Sequence, residues 1–348
     1  MKKLIITLII VAIVVLGGIY GFFKNQIQAV DSSSHGIKIV NIKTGSGTDE
    51  IASQLKKENL IKNETVFKLL VKIKGSESDF KAGSYAFSQD MDSEKIIDVI
   101  AKGKVAGKTF SVIPGQSLGK IAAALENGNI CSKKEFFKEV EKGKFNYRFM
   151  KLLPKGTRRL EGFLYPDTYS IPLKAGAHEA IDAMLNQFDK VVYEKYASKA
   201  EKKGMKFFNV ITTASIIERE SQKKEDKAKV ADVIYNRIKK GMYLQMDSII
   251  SYIKNEDKVI ASYSDIAVES AYNPYKNKGL PPGPICSPSI DSIEAALNPA
   301  GTTYLFFVNS PKLDGSLAFS ENNKDFEKNK AAFEKAYKKY LKEHPKKK

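Results

Sequence analysis

The segment Val210–Gln222, VITTASIIERESQ, sets a glutamate where a helical apolar pattern calls for a hydrophobe. Read as a helix, it places Phe207, Ile211, Ala214 and Glu218 on one face at the i, i+4, i+7, i+11 spacing. A carboxylate on a face built for burial loses hydration, so its pKa rises and it can hold a proton near neutral pH. Glu218 is therefore a candidate general acid. Glu220 lies two positions on, about 200° around the helix, and so cannot share its pocket. The alternative for Glu218 is a solvated edge residue paired with Arg219 or Lys223, because charged side chains are rarely buried alone. The pattern supplies one carboxylate, not a pair.

Other chemistries have little to draw on. The histidines are His35, His178 and His344, in a linker, between elements and in the tail. That distribution argues against a His-based triad or a multi-His metal site. Cys131 and Cys286 are far apart with no CxxC spacing, so neither a disulfide framework nor a thiolate zinc site is expected. Cys286, in PICSP, has no histidine placed to activate it. Neither a metal nor a cofactor is expected, and acid–base work falls to carboxylates.

The elements around the glutamate suit a chain of 348 residues, long enough for two or three domains, with a globular apolar fraction of 43%. Lys+Arg 57 against Asp+Glu 40 gives a net charge of +17, which favours an anionic environment. No nucleic-acid-binding motif accompanies the charge, so nucleic acid is not the expected partner. Leu4 to Phe23 carries no charge and follows Lys2 and Lys3. Its length matches a bilayer core, and no small-x-small cleavage site follows it. It reads as an uncleaved single-pass anchor, residues 1–24, with the N-terminus cytoplasmic and the remainder extracytoplasmic.

After a polar linker at 25–36, strand and helix patterns alternate. IKIVNI, AGSYAFS and KTFSVI read as strands, and Asp49 to Glu58, Thr65 to Lys74, Ser93 to Lys102 and Leu118 to Leu125 as helices. Thr48 is the expected N-cap of the first helix. A β-α-α-β succession occurs roughly twice across 37–130, a region that is LysM-like; such modules bind glycan or act as spacers. Lys133 to Lys151 reads as largely helical and Ala177 to Lys203 as one long basic helix. Lys227 to Lys240 is a helix closed by Gly241. TYLFFVN is a strand and Asp325 to Lys342 a closing basic helix, within a lysine-rich stretch running to Lys348. Residues 131–348 form a mixed α+β domain with a long Pro/Gly/Asn-rich loop from Ser270 to Ser289, of a length that is usually functional.

In order, the second half reads EGFLYPDTY (161–169), ASIIERE (214–220), VIYNR (233–237), GMYLQMD (241–247), YNPY (272–275), GLPPGPI (279–285), AALNP (295–299) and YLFFV (304–308). This series closely resembles the MltG (YceG-like) family of membrane-anchored endolytic murein transglycosylases, and the resemblance spans nearly the whole chain. It implies a lyase that cuts the MurNAc–GlcNAc β-1,4 bond within nascent peptidoglycan strands. Such a cut leaves a 1,6-anhydro-MurNAc end and terminates elongation beside peptidoglycan synthases. The family's catalytic glutamate, the first of A-[ST]-I-[IV]-E-[KR]-E, falls on Glu218. One carboxylate suffices where the sugar's own C6 hydroxyl attacks C1, whereas most glycoside hydrolases need two.

Candidate substrate-binding positions are Glu161, Asn236, Gln245 and Asp247, with Tyr252, Tyr272, Asn273 and Tyr275 as stacking or hydroxyl groups. Asp167 could line the cleft or cap a turn, and Arg237 could tie its helix to a loop. Pro281-Pro282-Gly283 reads as a rigid loop. Some positions depart from the family. Its G-x-H-x-F and Glu-His-Asn appear as Gly315-Ser-Leu-Ala-Phe319 and Glu327-Lys-Asn329, Ser248-Ile249 replace Pro-Thr, and IPEG is reduced to Ile113-Pro114-Gly115. Two alternatives remain: a hydrolytic muramidase with Asp247 as second carboxylate, and an inactive wall-binding scaffold.

Overall fold

A computed structural model describes residues 2–256 and 262–344. The end of the lysine-rich tail, residues 345–348, lies outside the described residues. The chain forms two compact units, residues 1–108 with 170–174, and residues 109–169 with 175–348. The region expected to be LysM-like, 37–130, is therefore divided, and its last helix belongs to the second unit.

The first unit begins with α1 (Lys2–Ile27). Within it Ile9–Ile27, 19 residues, is long and apolar enough to cross a membrane by length and composition, and none of it is buried in the protein. α1 continues past the expected end of the span, and Phe23 and Ile27 pack on the core of the unit. The linker expected at 25–36 is tied down as well: the Asp31 amide donates to Gln89 O at 3.0 Å and Ser34 Oγ to Gln89 Oε1 at 3.0 Å.

β1 (Lys38–Ile42) pairs antiparallel with β2 (Gly83–Phe87), Lys38 opposite Phe87 and Ile42 opposite Gly83. The chain between them forms α2 (Thr48–Lys57) and α3 (Glu64–Lys74), and α4 (Ser93–Lys102) follows. Period-2 alternation sends Val40 and Ile42 into the core with Ile51, Leu55, Phe67, Tyr85, Ile96 and Ile100. Asn63 and Asp92 cap α3 and α4 through side-chain oxygens that accept the Val66 and Lys95 amides at 3.1 and 2.8 Å. Thr48 is instead the first residue of α2, whose N-cap is Gly47. β3 (Gly107–Ser111) pairs with a distant strand, so only the first β-α-α-β succession closes on itself.

The second unit contains α5 (Leu118–Asn127) and α6 (Lys133–Lys142); β4 (Thr168–Pro172), the partner of β3, follows in the chain, and its residues 170–172 belong to the first unit. The helix expected over 177–203 is interrupted: α7 (Ala177–Phe188) and α8 (Glu194–Lys202) flank a π turn at Asp189–Tyr193. Then come α9 (Phe207–Glu220), α10 (Lys224–Lys239), α11 (Asp247–Lys254), α12 (Tyr263–Ile266) and α13 (Ile290–Leu297). A hairpin, β5 (Phe306–Asn309) and β6 (Leu317–Ser320), and α14 (Asn323–Glu343) close the unit.

α9 is the hub, in contact with α8, α10, α11 and α13. Every residue from Val210 to Ile217 is buried, so this helix has no solvent face through its middle turns. Two of its polar residues close on the backbone: Thr212 Oγ1 donates to Phe208 O at 2.9 Å, and Ser215 Oγ donates to Thr212 O and accepts the Ile285 amide. Gly162, at φ +82°, lets the 161–169 segment press on this core; a Cβ there would lie 2.5 Å from Pro284 Cβ and 3.2 Å from Ile211 Cγ2.

Candidate active site

The last turn of α9 carries both glutamates, and their surroundings differ. Glu218 enters a buried polar cluster between α9, α10 and the N-terminus of α13. Its Oε2 meets Lys227 Nζ at 3.1 Å, the Ser289 amide at 3.0 Å and Ser292 Oγ at 2.5 Å, and accepts the Ser289 hydroxyl. Lys227 Nζ also donates to Ser289 Oγ and Ser292 Oγ at 3.1 and 2.9 Å, and both ionic side chains are about a tenth exposed or less, at 11% and 8%. Burial raises the Glu218 pKa, but the Ser289 and Ser292 hydroxyls and the Lys227 charge outweigh it and hold the carboxyl below its ordinary value. The raised pKa expected for Glu218 is thereby corrected. Burial was read properly, but its partners were not.

Glu220, the final residue of α9, opens onto a cleft of about 460 Å³. Arg219, Gln222, the first turn of α11 (Asp247, Ser248, Ser251) and the β5–β6 hairpin (Phe307, Asn309, Leu317) form its walls. Glu220 Oε1 and Ser248 Oγ are buried, and among the described residues neither meets a hydrogen-bond partner. Burial pushes the Glu220 pKa up and the nearby Asp247 charge adds to the rise. The hydroxyl and amide of Ser248 and the Arg219 guanidinium favour the carboxylate without overcoming burial. A desolvated carboxyl with one oxygen free of hydrogen bonds can carry a proton, and the Ser248 amide at the N-terminus of α11 still eases its anion.

Two depressions continue this cleft. One, about 770 Å³, shares Asp247, Phe307, Val308, Asn309 and Gly315 with it and extends along α14. The other shares Arg219 and Ser251 and reaches Ser117, Lys120, Tyr252 and Asn255. The cleft at Glu220 thus continues mainly to one side, along α14, the second depression holding only about 20 Å³.

The other expected positions divide between groove and scaffold. Asp247 lies on the wall of the Glu220 cleft, with Oδ1 accepting Tyr275 OH at 2.6 Å. The cleft therefore holds two carboxylates, where the sequence pattern led us to expect one. Tyr252 lines the Lys120 side of the groove while donating to Glu161 Oε2 at 3.0 Å. Glu161 is 3% exposed and also accepts the Leu118 amide at 3.0 Å, so it clamps α5 to α11 rather than facing the groove. Burial raises its pKa to about 7. Tyr272 sits 5.4 Å from the Tyr252 ring, with the Arg158 guanidinium over both.

Asn236 Nδ2 donates to Thr302 O at 2.9 Å and Tyr304 O at 3.0 Å. Asn273 is fully buried and holds Ile266 O and Val268 O at 2.9 and 2.7 Å. Both are loop anchors. Gln245 is exposed in the left-handed region at φ +48°, its amide bonded to Pro274 O. Arg237 is buried, donating to Leu305 O and Leu244 O at 2.6 Å each, and so ties α10 to two loops. Asp167 accepts its neighbour's amide and Gln187 Nε2 at 2.9 Å. Gly283 is buried against Phe208 and Tyr272, which keeps the proline loop close to α9. Among the described residues no three His, Cys, Asp or Glu side chains gather as a metal site requires.

Glu220, Ser248 and the hairpin wall, which line this cleft, were not among the positions expected from the sequence. Ser248 carried a signal as a departure from the family pattern, and so did Leu317, which lines the Glu220 cleft at a family histidine position. Lys328, at the other missing histidine, lies on the exposed side of α14.

The second unit is thus a mixed α+β domain whose central buried helix ends in a desolvated carboxyl on a groove. The chain also carries an apolar N-terminal helix of membrane-spanning length. It belongs to the YceG-like family, whose profile matches residues 40–332. An endolytic murein transglycosylase of Bacillus subtilis (strain 168) is 35% identical over 332 residues, covering 92% of this chain and 91% of that one. One from Streptococcus pneumoniae serotype 2 is 30% identical over 353 residues, and the chain spans 64% of its length. The crystal structure of a yceG-like protein from Listeria monocytogenes superposes with a TM-score of 0.58 at 30% identity, covering 84% of this chain and 99% of that one.

Proposed function

We propose that this protein is a membrane-anchored endolytic murein transglycosylase whose proton-transfer group is Glu220. The names of its relatives support the substrate class. The observation that carries the reading is a desolvated carboxyl of raised pKa, one oxygen of it without a partner, on a cleft that continues along α14. A glycan strand laid along this cleft can present an internal linkage to the acid.

In this reading protonated Glu220 gives its proton to the glycosidic oxygen between MurNAc and GlcNAc as the C1–O bond breaks. The GlcNAc hydroxyl departs, and positive charge develops at C1 and the ring oxygen. The Glu220 carboxylate, eased by the Ser248 amide, then takes the proton of the MurNAc C6 hydroxyl, whose oxygen closes on C1. The product is a 1,6-anhydro end, no water is consumed, and Glu220 regains its proton. Asp247, held by Tyr275, faces the same cleft and stabilises the developing cation electrostatically. Glu218 is a structural anchor that fixes the last turn of α9.

Asp247 also favours a second reading, a hydrolase in which it activates water. Digestion of purified peptidoglycan followed by mass spectrometry separates these. Anhydro ends that vanish in Glu220→Gln support the lyase, reducing ends support hydrolysis, and no product from wild type points to a wall-binding scaffold. The Glu220 assignment fails if Glu220→Gln cuts at the wild-type rate. We further propose that α1 spans the membrane with Lys2 and Lys3 inside, that the β1–β2 unit is a LysM-like module near the bilayer, and that the reaction ends strands emerging from a peptidoglycan synthase.

A further inference from the structure

The larger continuation of the cleft has no part in the acid–base step, yet it is built from conspicuous residues. α14 has 21 residues and none is buried. Its aromatic residues Phe326, Phe333, Tyr337 and Tyr340 recur at i, i+7, i+11 and i+14, so they fall along one face. All four line the depression, with Lys330 and Lys338 beside them. Phe333 and Tyr337 stack with ring centroids 5.6 Å apart and 15° between planes, and Tyr337 and Tyr340 each remain 45% exposed. A helix that served only to close the fold would turn such rings inward.

We propose that this face of α14 is a saccharide-binding platform that holds the glycan strand on one side of the scissile bond. The proposal rests on the endolytic reading above and names a substrate-binding element for it. Sugar rings present flat C–H faces that suit stacking on aromatic rings. The stem peptides of an uncut strand carry carboxylates that Lys330 and Lys338 can meet. From Phe326 to Tyr340 the stripe runs about 21 Å along the helix, room for several successive rings. Five shared wall residues make it continuous with the Glu220 cleft, so one strand can occupy both.

The test uses the full chain in detergent micelles, with Phe333→Ala/Tyr337→Ala and the conservative Tyr337→Phe. Binding of fluorescently labelled, uncrosslinked glycan strands is followed by polarisation in a Glu220→Gln background, and KM and kcat with Glu220 intact. The platform predicts that the double alanine variant binds long strands about tenfold more weakly. KM should rise to match, with kcat and the handling of a fragment confined to the cleft unchanged, and Tyr337→Phe should behave as wild type. Unchanged strand affinity in the double variant overturns the proposal. So does a loss seen only in vesicle binding or self-association, which would make the stripe a lipid or protein contact. If wild type binds strands through α14 but yields no cleavage product, the endolytic reading fails while the platform stands.

Discussion

Replacing Glu218 and Glu220 separately by glutamine separates anchor from acid. At Glu218 the change leaves Lys227, its side chain 8% exposed, without its counter-charge. Breaking a buried pair by removing one partner costs about 3–5 kcal/mol. Glutamine retains an acceptor for the Ser289 and Ser292 hydroxyls, so the lower end, about 3 kcal/mol, applies. At about 2–4 °C per kcal/mol for a domain of this size, Tm should fall by about 6–12 °C. Because the Glu218 pKa lies below its ordinary 4.5, its contribution is present above that value and is lost as pH falls through the folded-state value. At Glu220 the change replaces a desolvated carboxyl, whose Oε1 has no partner, by a neutral amide, so Tm should hold or rise. Activity should instead drop by at least about 10²–10⁴-fold, the usual worth of a positioned proton donor. Thermal unfolding by circular dichroism gives the first quantity. Mass-spectrometric counting of anhydro ends, at a temperature where both variants are folded, gives the second. An inactive Glu218→Gln with unchanged Tm beside a Glu220→Gln that cuts normally would refute the assignment and return Glu218 to the chemistry.

Three further outcomes follow from groups near the groove. Glu161 has a folded pKa of about 7 against 4.5 unfolded, so the native state binds its proton more tightly. Stability should decline as pH rises from about 4.5 to 7, by up to about 3 kcal/mol, and denaturant titrations of Glu161→Gln should show a flatter profile. Since Glu220 must enter the reaction protonated, kcat/KM should fall on the alkaline side of its raised pKa. Leu317→Ser wets the cleft, lowers that pKa and should move the alkaline limb to lower pH; an unmoved limb would show that burial by the hairpin is not its cause. Arg237→Lys cannot reproduce two guanidinium bonds to Leu305 O and Leu244 O, and should cost about 2–3 kcal/mol in chemical denaturation with KM little altered.

What was legible from the sequence was mostly local. Period-2 runs and amphipathic stretches located β1, β2, α3 and α4, and the limits of α9 and α14 fell within a few residues of those read from pattern. What failed depended on distant partners. Ser111 and Thr168, 57 positions apart, bring their hydroxyls within 2.9 Å where β3 meets β4, and nothing near either one announces the pairing. The π turn at Asp189–Tyr193 is equally silent, because Ala177 to Lys203 keeps helical composition throughout.

The sequence candidate at the site was chosen from burial on one face of α9. α9 is buried all round, and Thr212, Thr213 and Ser215 only look like a polar face. Two of these spend their hydroxyls on the helix backbone, which is how small polar residues enter a core. Once α9 is central, a rotation of about 200° carries Glu220 into another part of the protein rather than into water. Burial then acts on both carboxyls and cannot by itself choose between them. The partners choose. Glu218 receives a lysine, two hydroxyls and an amide, which stabilise its anion and hold it in place. Glu220 has an oxygen with no partner in a cleft whose other carboxylate raises its proton affinity. A proton donor must still have a bond left to make with its substrate: Glu220 keeps such an oxygen on the cleft, whereas Glu218 commits Oε2 to four donors and does not line it.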